Sequence, residues 1–203
     1  IRSLIRKGTL EIGAPVKEAV LSEQLGISRA PIREALQVLV QEGLITSEPQ
    51  KGKHVRQMTG KEIYDSYVVA GILEGAGVAE SLPLWTEANM ETFRSVVRQM
   101  EGKISYATKL DELAEIDELF HATLFMACDN TRLVEMARTS CATISKYLYY
   151  QHWITMFTPR EYADRHHAVA EAVYSRDVKH VETALRDHYK ETGLRMAQFG
   201  KEA

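Results

Sequence analysis

The chain has 203 residues, of which 45% are hydrophobic, and a formal net charge of −3. That length fits one large or two small domains with a real buried core. Two cysteines, Cys128 and Cys141, give neither a disulfide framework nor a CxxC pair; no apolar run approaches a membrane span, so the sequence predicts a cytoplasmic protein with no membrane partner.

Helical periodicity dominates the chain. A short helix around Leu4 and Ile5 runs into Gly8, and Gly13-Ala14-Pro15 makes a turn. Ala19 to Leu25 reads as a second helix stopped by Gly26. Ser28 then caps a third helix, with Pro31 tolerated in the first turn, where backbone donors lack helical partners. Its buried stripe is Ile32, Ala35, Leu36 and Leu39, and Gly43 ends it. Leu44 to Glu48 and Lys53 to Met58 read as two strands around the turn Pro49-Gln50-Lys51-Gly52. Beyond Gly60 no further strand is predicted. Helices fit residues 61–81, 87–105, 109–128, 131–156, 159–175 and 178–198, broken at Pro83, Asp129-Asn130, Pro159 and Asp177. The predicted fold is mainly α: a winged helix-turn-helix over residues 1–58, then an all-α helical bundle over residues 59–203.

Charge divides at the same place. Residues 1–58 carry nine Lys/Arg against six Glu, whereas the remainder carries 16 basic against 22 acidic residues. A basic head on an acidic body points to an anionic partner for the head alone. Arg29 and Arg33 lie four apart at the start of the third helix, opposite the Ile32/Leu36 stripe. In a helix-turn-helix this is the part that enters the major groove, and Arg can grip a guanine edge or a phosphate. The predicted contacts with double-stranded operator DNA are Ser28, Arg29, Pro31 and Arg33, with Lys51, Gly52 and Lys53 at the hairpin tip. Near-palindromic DNA read by a homodimer is expected.

In the acidic body, Asp117 and His121 lie four apart on one predicted helix; His166 and His188 stand on the last two helices. Three imidazoles and one carboxylate suit one divalent metal, Zn or Ni ahead of Mn or Fe. An Asp–His pair at this spacing is equally a surface hydrogen bond. Tyr147, Tyr149, Tyr150 and Trp153 read either as pocket lining or as core and dimer interface. His167 follows a candidate ligand but points about 100° away on a helix.

The run from Leu21 to Leu36, with its core Ser28-Arg29-Ala30-Pro31-Ile32-Arg33-Glu34-Ala35-Leu36, and the following Glu42-Gly43-Leu44-Ile45 closely resemble the DNA-binding domain of GntR-family bacterial regulators. A further DNA-contacting Arg found in some members is absent, since Ala19 stands there. The body resembles the FadR subgroup with its ligand-binding FCD domain: Asp117-x-x-Phe120-His121, Asn130-x-x-Leu133, and His166-x-x-Val169-x-x-Ala172-Val173-x-x-x-Asp177 match its pattern. The resemblance implies a ligand-responsive transcription factor in which Asp117, His121, His166 and His188 hold the metal. Many FCD domains place an Arg four residues before the first-helix Glu, to receive an acidic effector. Here Glu74 is kept, but Ala70 stands at the Arg position. The expected effector is therefore a small carboxylate held at the metal, with Arg138, Lys146 and Tyr150 as candidate contacts and Arg165 as a further cation. A metal-sensing regulator and a metal-dependent hydrolase are the alternatives.

Overall fold

The computed structural model describes residues 1–202; Ala203, the last residue of the expected bundle, lies outside them. The head comprises α1 (Arg2–Arg6), α2 (Glu18–Leu25), α3 (Arg29–Gln41), β1 (Ile45–Glu48) and β2 (Gly52–Val55). Gly26 ends α2 in the left-handed conformation at φ 67°, which a residue without Cβ adopts at no steric cost. Ser28 does occupy the N-cap position of α3, but its side chain makes no capping hydrogen bond. The strands pair antiparallel from Ile45 opposite Val55 to Glu48 opposite Gly52. β2 stops short of Met58, whose N–H instead donates to the Tyr149 hydroxyl at 3.1 Å.

The body comprises α4 (Gly60–Ser81), α5 (Glu87–Ile104), α6 (Ala114–Leu124), α7 (Thr131–Ser140), α8 (Tyr150–Trp153), α9 (Pro159–Ser175) and α10 (Val178–Ala197). Capping boxes at Thr59/Glu62, Thr86/Asn89 and Thr158/Glu161 start α4, α5 and α9, each satisfying orphan N–H groups reciprocally. Asn130 caps α7 and Asp177 caps α10. Phe93, Phe120, Val169 and Leu185 anchor a core shared by α5, α6, α9 and α10.

The helix expected over residues 131–156 is not continuous. α7 ends at Ser140, a π-helical turn covers Ile144–Leu148, and α8 resumes at Tyr150. Thr139, Ser140 and Ser145 hydroxyls bond back to the carbonyls of Glu135, Met136 and Cys141, a competition that bends helices. Residues 109–128 likewise begin as a 3-10 turn over Leu110–Leu113 and leave the helix after Leu124.

α4 runs through the middle of the body, with α10 along one side and α7 along another. The stretch Gly60–Leu84 is long and apolar enough, at a mean hydropathy of 1.2, to match a membrane span by length and composition, but half of its apolar window is buried inside the protein, as in a core helix. Glycines make the α4–α10 contact close. A Cβ at Gly193 would stand 2.8 Å from Tyr67 Cβ, and one at Gly71 would stand 2.9 Å from Tyr189 Cβ.

A second core ignores the expected division of the chain. Ile5, Leu36, Leu44 and Val55 of the head pack in one cluster with Ile63, Tyr67, Ile144, Leu148 and Met196 of the body. Overpacking a close helix contact costs about 1–3 kcal/mol. Gly71→Val and Gly193→Val should each lower the unfolding free energy by about that amount. Urea denaturation provides the measurement, and unchanged midpoints would show that the seam tolerates bulk.

Candidate functional site

Three imidazoles converge inside the body. α6 carries Asp117 and His121, α9 carries His166 and α10 carries His188. One nitrogen from each histidine lies within 4.8 Å of the other two. Asp117 Oδ1 stands 3.2 Å from His166 Nε2 and 4.0 Å from His121 Nε2. The four sequence-predicted ligands therefore share one locus.

The outer nitrogens explain how the rings are aimed. His166 Nδ1 is 2.8 Å from the carbonyl of Tyr162, one helical turn back. His121 Nδ1 is 2.6 Å from Glu74 Oε1, and the Tyr189 hydroxyl donates to the other oxygen of that carboxylate at 2.7 Å. Anchoring Nδ1 in this way fixes the tautomer and leaves Nε2 as the lone-pair donor, the usual support beneath a metal-binding histidine. His188 Nδ1 is buried with no hydrogen-bond partner, and His166 Nε2 has only the Asp117 carboxylate beside it; buried polar atoms are rarely left unpaired. A donor set of this kind fits a divalent ion.

Two of the three imidazoles hold the protonation state a metal requires, and the third, His121, must release a proton to bind one. Burial pushes His188 well below its ordinary range, reinforced by His166 and Arg165, and burial likewise lowers His166 against the pull of Asp117. Both are neutral at pH 7, the form in which an imidazole can bind a metal. Burial also opposes charge on His121, but Glu74 outweighs it and raises that imidazole to about 9. Burial would raise the Asp117 carboxyl; His166 and His121 prevail and hold it below its usual value.

These residues line a cavity of about 890 Å³, as do Arg138, Lys146 and Tyr150. Lys146 Nζ pairs with Glu118 at 2.9 Å. Arg165 is the cation nearest the histidines in its bonding: its Nη2 donates to the His188 carbonyl and to Thr192 Oγ1. It stacks over Phe157 at 4.0 Å and, like Arg138, lines the cavity. Ala70 is fully buried in α4 between cavity-lining Tyr67 and Glu74 and supplies no charge. Among the wall residues that the sequence did not single out are Tyr189 and Arg6. Tyr189 was findable from the helical spacing that sets it beside His188, whereas Arg6 reaches the cavity from the head and leaves no local signal.

In the head, Arg29 is exposed at the start of α3. Arg33 is not free: its guanidinium binds Glu18 at 3.0 Å, and Lys53 lies 3.5 Å from the same carboxylate. Lys51 pairs with Glu48 at 2.8 Å across the hairpin, whose tip Gly52 takes φ 85°.

The sequence matches the family model for bacterial regulatory proteins of the gntR family over residues 1–55 and that for the FCD domain over residues 65–191. This chain belongs to the GntR family and carries an FCD domain. The HTH-type transcriptional repressor RspR of Escherichia coli (strain K12) is 26% identical over 193 residues, covering 94% of this chain and 82% of the relative. The gluconate operon transcriptional repressor of Bacillus subtilis (strain 168) is 30% identical over 131 residues, covering 64% and 53%. Among solved structures, E. coli McbR/YncC superposes with a TM-score of 0.71 at 19% identity, over 97% of this chain and 93% of the other, a likeness of fold. The family is one of DNA-binding transcriptional regulators, not enzymes.

Glu18 thus ties down two cations of the DNA-binding head. Glu18→Gln should release Arg33 and Lys53. Binding to random-sequence duplex should tighten, and the log–log salt slope should steepen by about 0.9 for each cation that reaches a phosphate. Filter binding across a salt series measures this; an unchanged slope would mean that neither cation reaches the backbone.

Proposed function

We propose that this GntR regulator is a homodimeric repressor whose operator affinity is set by a small organic acid held at a metal in the FCD domain. The carrying observation is the convergence of three imidazoles, two of which, His121 and His166, have their outer nitrogens already anchored. His121, His166 and His188 with Asp117 would hold the ion, and their nitrogen-rich set favours Zn or Ni. A bound ion would supply positive charge with positions left open for a carboxylate.

The acid reading rests on charge. A carboxylate brought into a buried site without a cation is costly, and α4 offers only Ala70 where a receiving Arg would stand. The ion answers that need, assisted by Arg165 in the wall and by Arg138 and Lys146. A relative named for the gluconate operon supports the same chemical class. On the DNA side, Ser28, Arg29, Pro31 and Arg33 would enter the major groove, with Arg33 first leaving Glu18; Lys51, Gly52 and Lys53 would touch the backbone at the wing. The domains divide at Met58–Thr59, and the protein acts in the cytoplasm. Val69 and Ile72 on α4 and Met136 on neighbouring α7 are exposed, and apolar surface of this kind suits a second copy of the chain.

Equilibrium dialysis should find one zinc per chain, lost in His166→Ala/His188→Ala. Glu74→Gln should weaken zinc by about 10–100-fold. Malate, citrate and gluconate, tested by thermal shift, should stabilise the zinc-loaded protein and not the chelated one. Acids that act should also change affinity for a duplex selected from a random pool. Unchanged zinc content in the double variant would rule out the site. A DNA affinity that follows zinc and ignores every acid would make the metal itself the signal.

A further inference from the structure

Arg6 belongs to α1 of the DNA-binding head, yet it lines the same cavity as the histidines of the body. Its guanidinium carbon sits 4.0 Å above the ring of Tyr150. Nη2 is 3.7 Å from Asp111 Oδ1, and the Tyr150 hydroxyl donates to that same oxygen. Gln151 Nε2 donates to the Arg6 carbonyl at 2.8 Å, which fixes the end of α1 against the body. Tyr150 in turn stacks on Trp153, with ring planes 19° apart.

This cluster makes no hydrogen bond to the histidines and has its own chemistry. Arg6 can only donate and Asp111, ionised, can only accept. At 3.7 Å they are too far apart to satisfy each other. A hydroxyl group does both jobs, accepting from the guanidinium and donating to the carboxylate. A second carboxylate is the wrong group here, because Asp111, Glu112 and Glu115 all border this side of the cavity and would repel it.

Building on the organic-acid reading above, we propose that Arg6 and Asp111, against the ring of Tyr150, form a subsite for the hydroxyls of a polyhydroxy monocarboxylic acid. The acid group lies at the histidines and the hydroxylated carbons reach the head. The ligand then touches the DNA-binding unit directly through Arg6, and its occupancy bears on the position of α1. A ligand can shift such an arrangement only by as much as it binds one state better than the other, and contact with both units provides that difference.

The test uses the zinc-loaded full chain and two probes by calorimetry: D-gluconate, and hexanoate, which has the same chain length without the hydroxyls. Wild-type protein should bind gluconate more tightly by about ten-fold or more, the value of hydrogen bonds to charged groups. Arg6→Ala and Asp111→Ala should each lose that preference while leaving hexanoate affinity and zinc stoichiometry unchanged. Both residues are about half exposed, so folding should survive. Arg2→Ala, in the same helix but paired with Glu42, should keep the preference. If the two variants retain it, or if the wild type shows none, the subsite is wrong and the acid reading stands. If the wild type binds neither acid, both fail together.

Discussion

The close seam between α4 and α10 is the constraint on which the rest of the body depends. Gly71 and Gly75 on α4 and Gly193 on α10 let the helices approach until side chains on one meet backbone on the other. That approach puts the Tyr189 hydroxyl on Glu74 and Glu74 on His121. His188, the residue before Tyr189, is then carried to the other imidazoles. A wider seam would take the Tyr189 hydroxyl away from Glu74 and leave a buried carboxylate with one donor fewer, which is destabilising. Packing at three glycines and the electrostatics of the histidine cluster are thus one problem with one solution.

The interior charges are arranged so that none stands alone. Glu74 accepts from a phenol and an imidazole, Asp117 faces two imidazoles, and Arg165 has Glu191 at 2.9 Å together with the face of Phe157. Among the buried atoms left without a hydrogen bond are His188 Nδ1 and the hydroxyls of Tyr67 and Tyr162. The head follows a different logic: its cations are exposed and engaged by Glu18 and Glu48, in water, where such pairs are weak and can be exchanged for phosphate.

Much of this was legible in the sequence because it depends on local patterns. Helix starts at Thr59, Thr86, Asn130, Thr158 and Asp177 follow from cap residues, and the i, i+4 pair Asp117/His121 faces one point as helical geometry requires. The Glu18 clamp was not legible, because α2 and α3 meet through a turn whose angle no spacing encodes. The break after Ser140 was missed for another reason. Its apolar periodicity is helical, and only the hydroxyls of Thr139, Ser140 and Ser145, competing for backbone carbonyls, reveal the local bend. Arg6 and the shared core lay out of reach altogether, since they join residues more than a hundred positions apart.

The joint between head and body has little slack. Met58 is held by the Tyr149 phenol at both its N–H and its carbonyl, and Lys201 N–H bonds to that same carbonyl. Around it the apolar cluster runs unbroken from α3 to α10. A head tethered by a loose linker would sample many orientations and surrender that rotational entropy on meeting DNA. This head has surrendered most of it already, during folding. Its orientation is preorganised, so a small tilt at the joint becomes a systematic change in where the reading helix points, not a change lost within thermal wandering.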